Sequence, residues 1–170
     1  MGIFDRLTGT RYPAEGVPSA SRDEVRTALL ALNGPGVPYV VRYSAGEQCD
    51  LVAEWRLREP AWGHTFLRSE ISHAVRIRMR FDRDEDEVRA LEEQWELTRV
   101  GSPPRLQVTS KYSRGPSRTV SRRGSLGRDV DGRLRVTETF RYDSAALRDA
   151  SCATVLENGW TWRGVIFGRL

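Results

Sequence analysis

Between Ala74 and Phe81 the chain alternates without a break: Val75, Ile77, Met79 and Phe81 interleave with Arg76, Arg78 and Arg80. Successive side chains of a strand point to opposite faces, so the pattern makes a strand with one buried face and one cationic ladder. The polar run Asp82 to Glu87 then turns the chain, and Val88 to Val100 returns as a second strand with Trp95 and Leu97 inward. Glu, Leu, Ala and Gln within Glu87–Glu96 favour helix, which competes with this assignment. The strand is preferred.

Other segments join the same sheet. Pro38–Tyr43 and Cys49–Leu57 are rich in Val, Tyr and alternating apolar residues, with Ser44-Ala-Gly-Glu47 between them. Two such runs joined by a short glycine-containing loop read as a hairpin. Arg105–Lys111, Arg133–Tyr142 and the tail Trp160–Phe167 complete the strands, while Tyr112–Arg128 reads as a Ser/Arg/Gly loop.

Helices are fewer. Val25, Ala28, Leu29 and Leu32 share one face, Ser21 and Glu24 form a capping box, and Asn33-Gly-Pro-Gly36 stops the helix. A second helix starts at Asp143-Ser144, runs through Ala145, Leu147 and Leu156, and ends at Asn158-Gly159. Trp62–Ile71 reads as a short third. The segments around 22–57 and 62–100 faintly repeat one order of helix, strand, turn and strand.

The expected fold is therefore α+β: a curved, mainly antiparallel sheet of six to eight strands with two or three helices. A partly closed barrel around the Ala145–Leu156 helix is a variant. A chain of 170 residues, 39% hydrophobic and 29% charged, suits one core. That domain occupies 21–170, and residues 1–20 form a flexible or docking arm with a short stripe of Ile3, Phe4 and Leu7.

No run is long enough to span a bilayer, and the first residues lack a signal-peptide core. A cytoplasmic location is expected, with Cys49 and Cys152 reduced. The net charge is +4, and Lys111 is the one lysine. Charge placement bears on partners more than its sum does.

Two charged blocks stand out. Asp82, Asp84 and Asp86, with Glu93, echo a calcium loop, but Glu87 occupies the position that requires glycine. No metal or other cofactor is expected. Lys111, Arg114, Arg118, Arg122, Arg123 and Arg128 make the 111–128 segment strongly basic. Guanidinium forks and backbone N–H groups there can hold phosphates. Equally, the block can simply balance the acidic 82–96 segment. Arginine three residues before Ser117, Ser121 and Ser125 is a pattern some kinases read. Catalytic signatures are missing: there is no nucleophile elbow, no phosphate loop and no paired CxxC. His64 and His73 are the two candidate general bases. Tryptophans at 55, 62, 95, 160 and 162 are expected in the core.

The ending Gly159-Trp-Thr-Trp-Arg-Gly-Val-Ile-Phe-Gly-Arg-Leu170, with Ala53-Glu-Trp-Arg56 and Val88-Arg-Ala-Leu-Glu-Glu-Gln-Trp-Glu96, resembles a family of small uncharacterised actinobacterial proteins. The resemblance covers roughly residues 20–170, implies a bacterial cytoplasmic origin, and brings no activity or site.

Three functions remain open. The first is a non-catalytic interaction protein using the cationic loop, the arginine ladder (Arg76, Arg78, Arg80) and the arm, with a protein partner or a second copy. The second is a binder of an anionic ligand: nucleic acid, a phosphate compound or a lipid headgroup. The third is a small enzyme using His64 or His73.

Overall fold

The computed structural model describes residues 3–59, 61–62, 65–66, 71, 73–82, 84–102, 104–116, 118, 120–128, 134–166 and 170; the side chains of 3, 4, 6, 105, 108–113, 121–128 and 134–141 lie outside the description. In chain order the elements are α1 (Ile3–Thr8), α2 (Arg22–Leu30), β1 (Tyr39–Tyr43), β2 (Leu51–Trp55), β3 (His73–Asp82), β4 (Glu87–Val100), β5 (Arg105–Arg114), β6 (Val120–Arg128), β7 (Leu134–Asp143), α3 (Ser144–Glu157) and β8 (Thr161–Gly164).

Among the described residues the main sheet has six strands. Its path is β1-β2-β3-β4-β5, every pair antiparallel, and β8 joins β4 in parallel. β6 and β7 form a separate two-stranded sheet. The expected α+β fold is present, but the barrel variant is not: β1 and β5 end the path and do not pair with each other. Residues 112–128, expected as a loop, instead extend β5 to Arg114 and form β6. Backbone pairing with β7 overrides the poor strand preference of Ser and Gly there, and the ladder absorbs Gly124 through a register shift beside Arg123.

β4 is a strand, as preferred. Its helix-favouring residues are overruled because both edges are engaged. β3 pairs with Glu87 through Glu96 on one side. On the other, β8 pairs with 87–90 and β5 with 93–100. Val165 N donates to Ala90 O at 2.8 Å and Gly115 N to Glu92 O at 3.0 Å, narrowing the gap between those two partners.

α2 and α3 supply the helical side of the core. Val25 and Leu29 of α2, with Leu147 and Val155 of α3, cluster with Val41, Ala53, Ile77, Met79, Phe81 and Val88. Burying each large aliphatic side chain is worth about 1.5–3 kcal/mol, so this face of the sheet dominates stability. The Ser21–Glu24 capping box is formed, and Asp143 caps α3 by accepting from Ala145 N at 3.1 Å. α2 ends two residues earlier than expected, because Asn33 is engaged at the edge of β1. Ala61, Trp62, Thr65 and Phe66 are helical, the last three within the segment expected to form a third helix.

The arm docks. Arg11 and Trp162 exchange backbone hydrogen bonds of 2.8 and 2.9 Å, so the arm adds an edge to β8. Thr10 is buried, and Trp160 Nε1 donates to Ala20 O at 2.7 Å. The arm crosses the tail at two glycines: a Cβ on Gly164 would collide with the Thr8 carbonyl, and one on Gly159 with that of Pro18. Leu7, expected on an apolar stripe, is 61% exposed, and the side chains of Ile3 and Phe4 lie outside the description.

Candidate binding face and cleft

The second face of the main sheet is where the charged residues gather. Cross-strand register puts Glu54 opposite Arg76, Arg76 opposite Glu93, and Glu93 opposite Arg114. Paired residues share a face, so four strands contribute to one polar surface. The core-forming helices pack on the other side, where Val41, Ala53 and Ile77 lie.

The arginine ladder is on this face, but it is not a bare row of cations. Glu54 accepts from Arg42 Nε at 2.8 Å and from Arg76 Nε at 2.9 Å. Arg78 reaches Glu93 at 3.2 Å and the Glu47 carbonyl at 2.8 Å. Arg80 donates to Leu170 O at 2.6 Å. The ladder is thus one side of an acid–base lattice whose carboxylates come from neighbouring strands. Arg42 and its partners also hold the Glu47 carboxyl down at about 2, through the Arg42 hydrogen bond first and then those from Ala45 N and Ser44. Val52 and Leu91 are fully buried on this polar face. Val52 stands between Arg42 and Arg78 in register, and long arginine stems exclude water from such positions.

One end of the face opens into a cleft of about 440 Å³. Val40, Ala74, Leu97 and Leu106 give it an apolar floor, and Trp95 forms a wall. Arg56, Arg58, Glu59, Glu54 and Arg76 stand at its rim. The Arg76 guanidinium lies over the Trp95 ring, 5.4 Å from its centroid. Arg56 is tied to both Glu59 oxygens at 3.0 Å, whereas Arg58 is exposed and has no carboxylate partner among the described residues. Trp95 was expected inward. It is instead half-buried on the arginine face, because Glu92 and Gln94 occupy the helix side of β4. Trp55, Trp160 and Trp162 are in the core as expected.

The basic 111–128 segment divides. Arg114 is exposed, on the arginine face beside Glu93 in register, and has no carboxylate partner among the described residues. Arg118 is exposed and bonded to Asp143 at 2.8 Å, away from that lattice. Lys111 lies on β5, and Arg122, Arg123 and Arg128 on β6; their side chains are outside the description. The segment is therefore parts of two sheets rather than one flexible cationic loop.

Of the candidate general bases, His73 opens β3 and is half-buried, and His64 lies outside the described residues. Both cysteines are free thiols. Burial pushes Cys49 up and Cys152 up to about 11, which disfavours the thiolate at neutral pH. The acidic turn forms no cluster of metal-ligating side chains among the described residues. Asp86 there accepts from Ser19 of the arm at 2.7 Å, and Glu87 is buried between Arg89 and Arg163. No described helix is long and apolar enough to cross a membrane.

Compared with known proteins, the chain matches no family model, no curated sequence and no solved structure.

The cleft was not legible in the sequence. Its signal was the displaced Trp95 and the pair Arg56-x-Arg58, but their convergence depends on the strand order and on the register shifts at Gln94/Trp95 and Glu96/Leu97.

Proposed function

We propose that this chain is a non-catalytic interaction protein that docks an acidic surface of a protein partner on the arginine face of its main sheet. The observation that carries this reading is the face itself. It carries Arg42, Arg76, Arg78, Arg80 and Arg114 on neighbouring strands, and among its described cations Arg58 and Arg114 lack carboxylate partners while Arg80 is held by the Leu170 carbonyl. Arginine is enriched at the centres of protein interfaces because its planar fork pairs with carboxylates bidentately and its stem packs as apolar surface. The internal carboxylates Glu54 and Glu93 hold Arg76 and Arg78 in fixed orientations, so docking costs little side-chain ordering.

The test is site-specific photo-crosslinking in the native cells. A photoreactive residue replacing Arg114 is expected to capture a discrete protein partner. The same residue at Ala146, exposed on α3, is the control. Equal capture at both positions, or none at Arg114, removes the reading.

A further inference from the structure

We propose that the cleft beside Trp95 is a binding site for a small, flat, apolar monocarboxylic acid. This goes beyond docking on the face, since it concerns a free ligand inside the cleft. Two properties of the lining select that chemistry.

The first is shape and polarity. At about 440 Å³ the cleft falls in the range of small-ligand sites, and its floor of Ala74, Leu97 and Leu106 is apolar. Trp95 offers a broad ring as a wall, with one edge of the space set by Arg76. A flat hydrophobic body covers such surfaces and releases the water over them.

The second is charge. The lining carries three guanidinium groups (Arg56, Arg58, Arg76) and two carboxylates (Glu54, Glu59), which leaves one positive charge. Arg56 and Arg76 are already engaged by Glu59 and Glu54 at 3.0 and 2.9 Å. Arg58 is the cation left over, and one carboxylate balances it in a bidentate pair. A phosphate monoester brings a second negative charge that meets Glu54 and Glu59 with no cation to spare.

The experiment is calorimetric titration of the full chain with 2-naphthoate. Saturable binding at one site per chain is expected, with 2-naphthamide at least tenfold weaker and 2-naphthyl phosphate weaker than the carboxylate. Arg58→Gln, at an exposed position that leaves folding intact, is expected to weaken naphthoate at least tenfold and leave the amide unchanged. Trp95→Ala is expected to weaken both. Absence of saturable binding overturns the proposal, as does tighter binding of the phosphate or an Arg58→Gln variant that binds naphthoate normally. A tripeptide ending in phenylalanine that binds more tightly than naphthoate overturns the assignment to a free acid. Any of these failures leaves the crosslinking result at Arg114 unaffected, so the two readings fall separately.

Discussion

The side-chain amide of Asn33 grips the backbone of Val41 from both ends: Nδ2 donates to Val41 O at 2.7 Å, and Oδ1 accepts from Val41 N at 2.8 Å. Asn33 thus occupies the place a neighbouring strand would take on the outer edge of β1. Arg56 and Arg42 donate to the carbonyls of Tyr39 and Tyr43 on either side. Edge strands with free backbone groups invite pairing with other chains, and three side chains blunt this one. Asn33→Ala is expected to lower stability by about 1–2 kcal/mol, for two modest hydrogen bonds. It is also expected to make the protein associate at high concentration. Urea unfolding and light scattering check both; unchanged stability with no association would show that the edge needs no guard.

The two glycines under the arm are predicted to be intolerant for different reasons. Gly159 has φ +75° and lies against the Pro18 backbone, whereas at Gly164 only the closeness of the Thr8 carbonyl forbids a side chain. Overpacking against backbone costs about 1–3 kcal/mol, and left-handed strain adds to it. Gly159→Ala and Gly164→Ala are each expected to lower the melting temperature and to speed tryptic cleavage at Arg11. Gly36→Ala, with open space around it, is the control and should be close to neutral. Equal behaviour of all three variants would mean that the arm does not lie against the tail in solution.

Acid should loosen the β1–β2 turn in a defined window. The Glu47 carboxyl sits at about 2 in the folded chain, chiefly because Arg42 donates to it. An unfolded glutamate titrates near ~4.3. A depressed folded value contributes stability that is full above the unfolded pKa and is lost as pH falls through the folded one. Stability is therefore expected to fall between about pH 5 and pH 2. Glu47→Gln should remove its share of that slope while lowering stability at pH 7. A wild-type and a Glu47→Gln protein with parallel pH profiles would disprove the linkage.

Thiol chemistry should be slow. Burial disfavours the thiolate of both Cys49 and Cys152, and the latter is pushed up to about 11. Since the thiolate is the nucleophile, modification of Cys152 by a disulfide reagent at pH 7.5 is expected to run on the order of a hundredfold slower than in urea. Its rate should climb steadily toward pH 11. A fast, pH-independent reaction in the native protein would contradict the burial.

Much of the fold could be read from local pattern, and the reasons for the rest are specific. Alternation over Ala74–Phe81 gave β3 and its faces, because strand period depends only on neighbours in sequence. The capping box at Ser21 and Glu24 gave the start of α2 for the same reason. β4 was ambiguous because its residues favour helix, and only pairing along both edges decides for strand. β6 was missed because Ser and Gly carry no strand signal, so the hairpin depends on β7. At the candidate site, the arginine ladder was visible but its neutralisation was not. Glu54 and Glu93 are 22 and 17 residues from Arg76, and only the register brings them opposite it.

The shared edge of β4 makes assembly a late event. Its first four residues wait for β8, which follows α3, and β8 in turn receives the arm at Arg11. Gly164 N donates to Thr10 Oγ1 across 154 positions of sequence. Contacts between such distant segments are slow to form, because loop closure must come before any gain from pairing. A nascent chain that has emerged only as far as β7 therefore carries an open stretch of β4 over residues 87–90, which β8 seals once it pairs there and takes the arm onto its own outer edge.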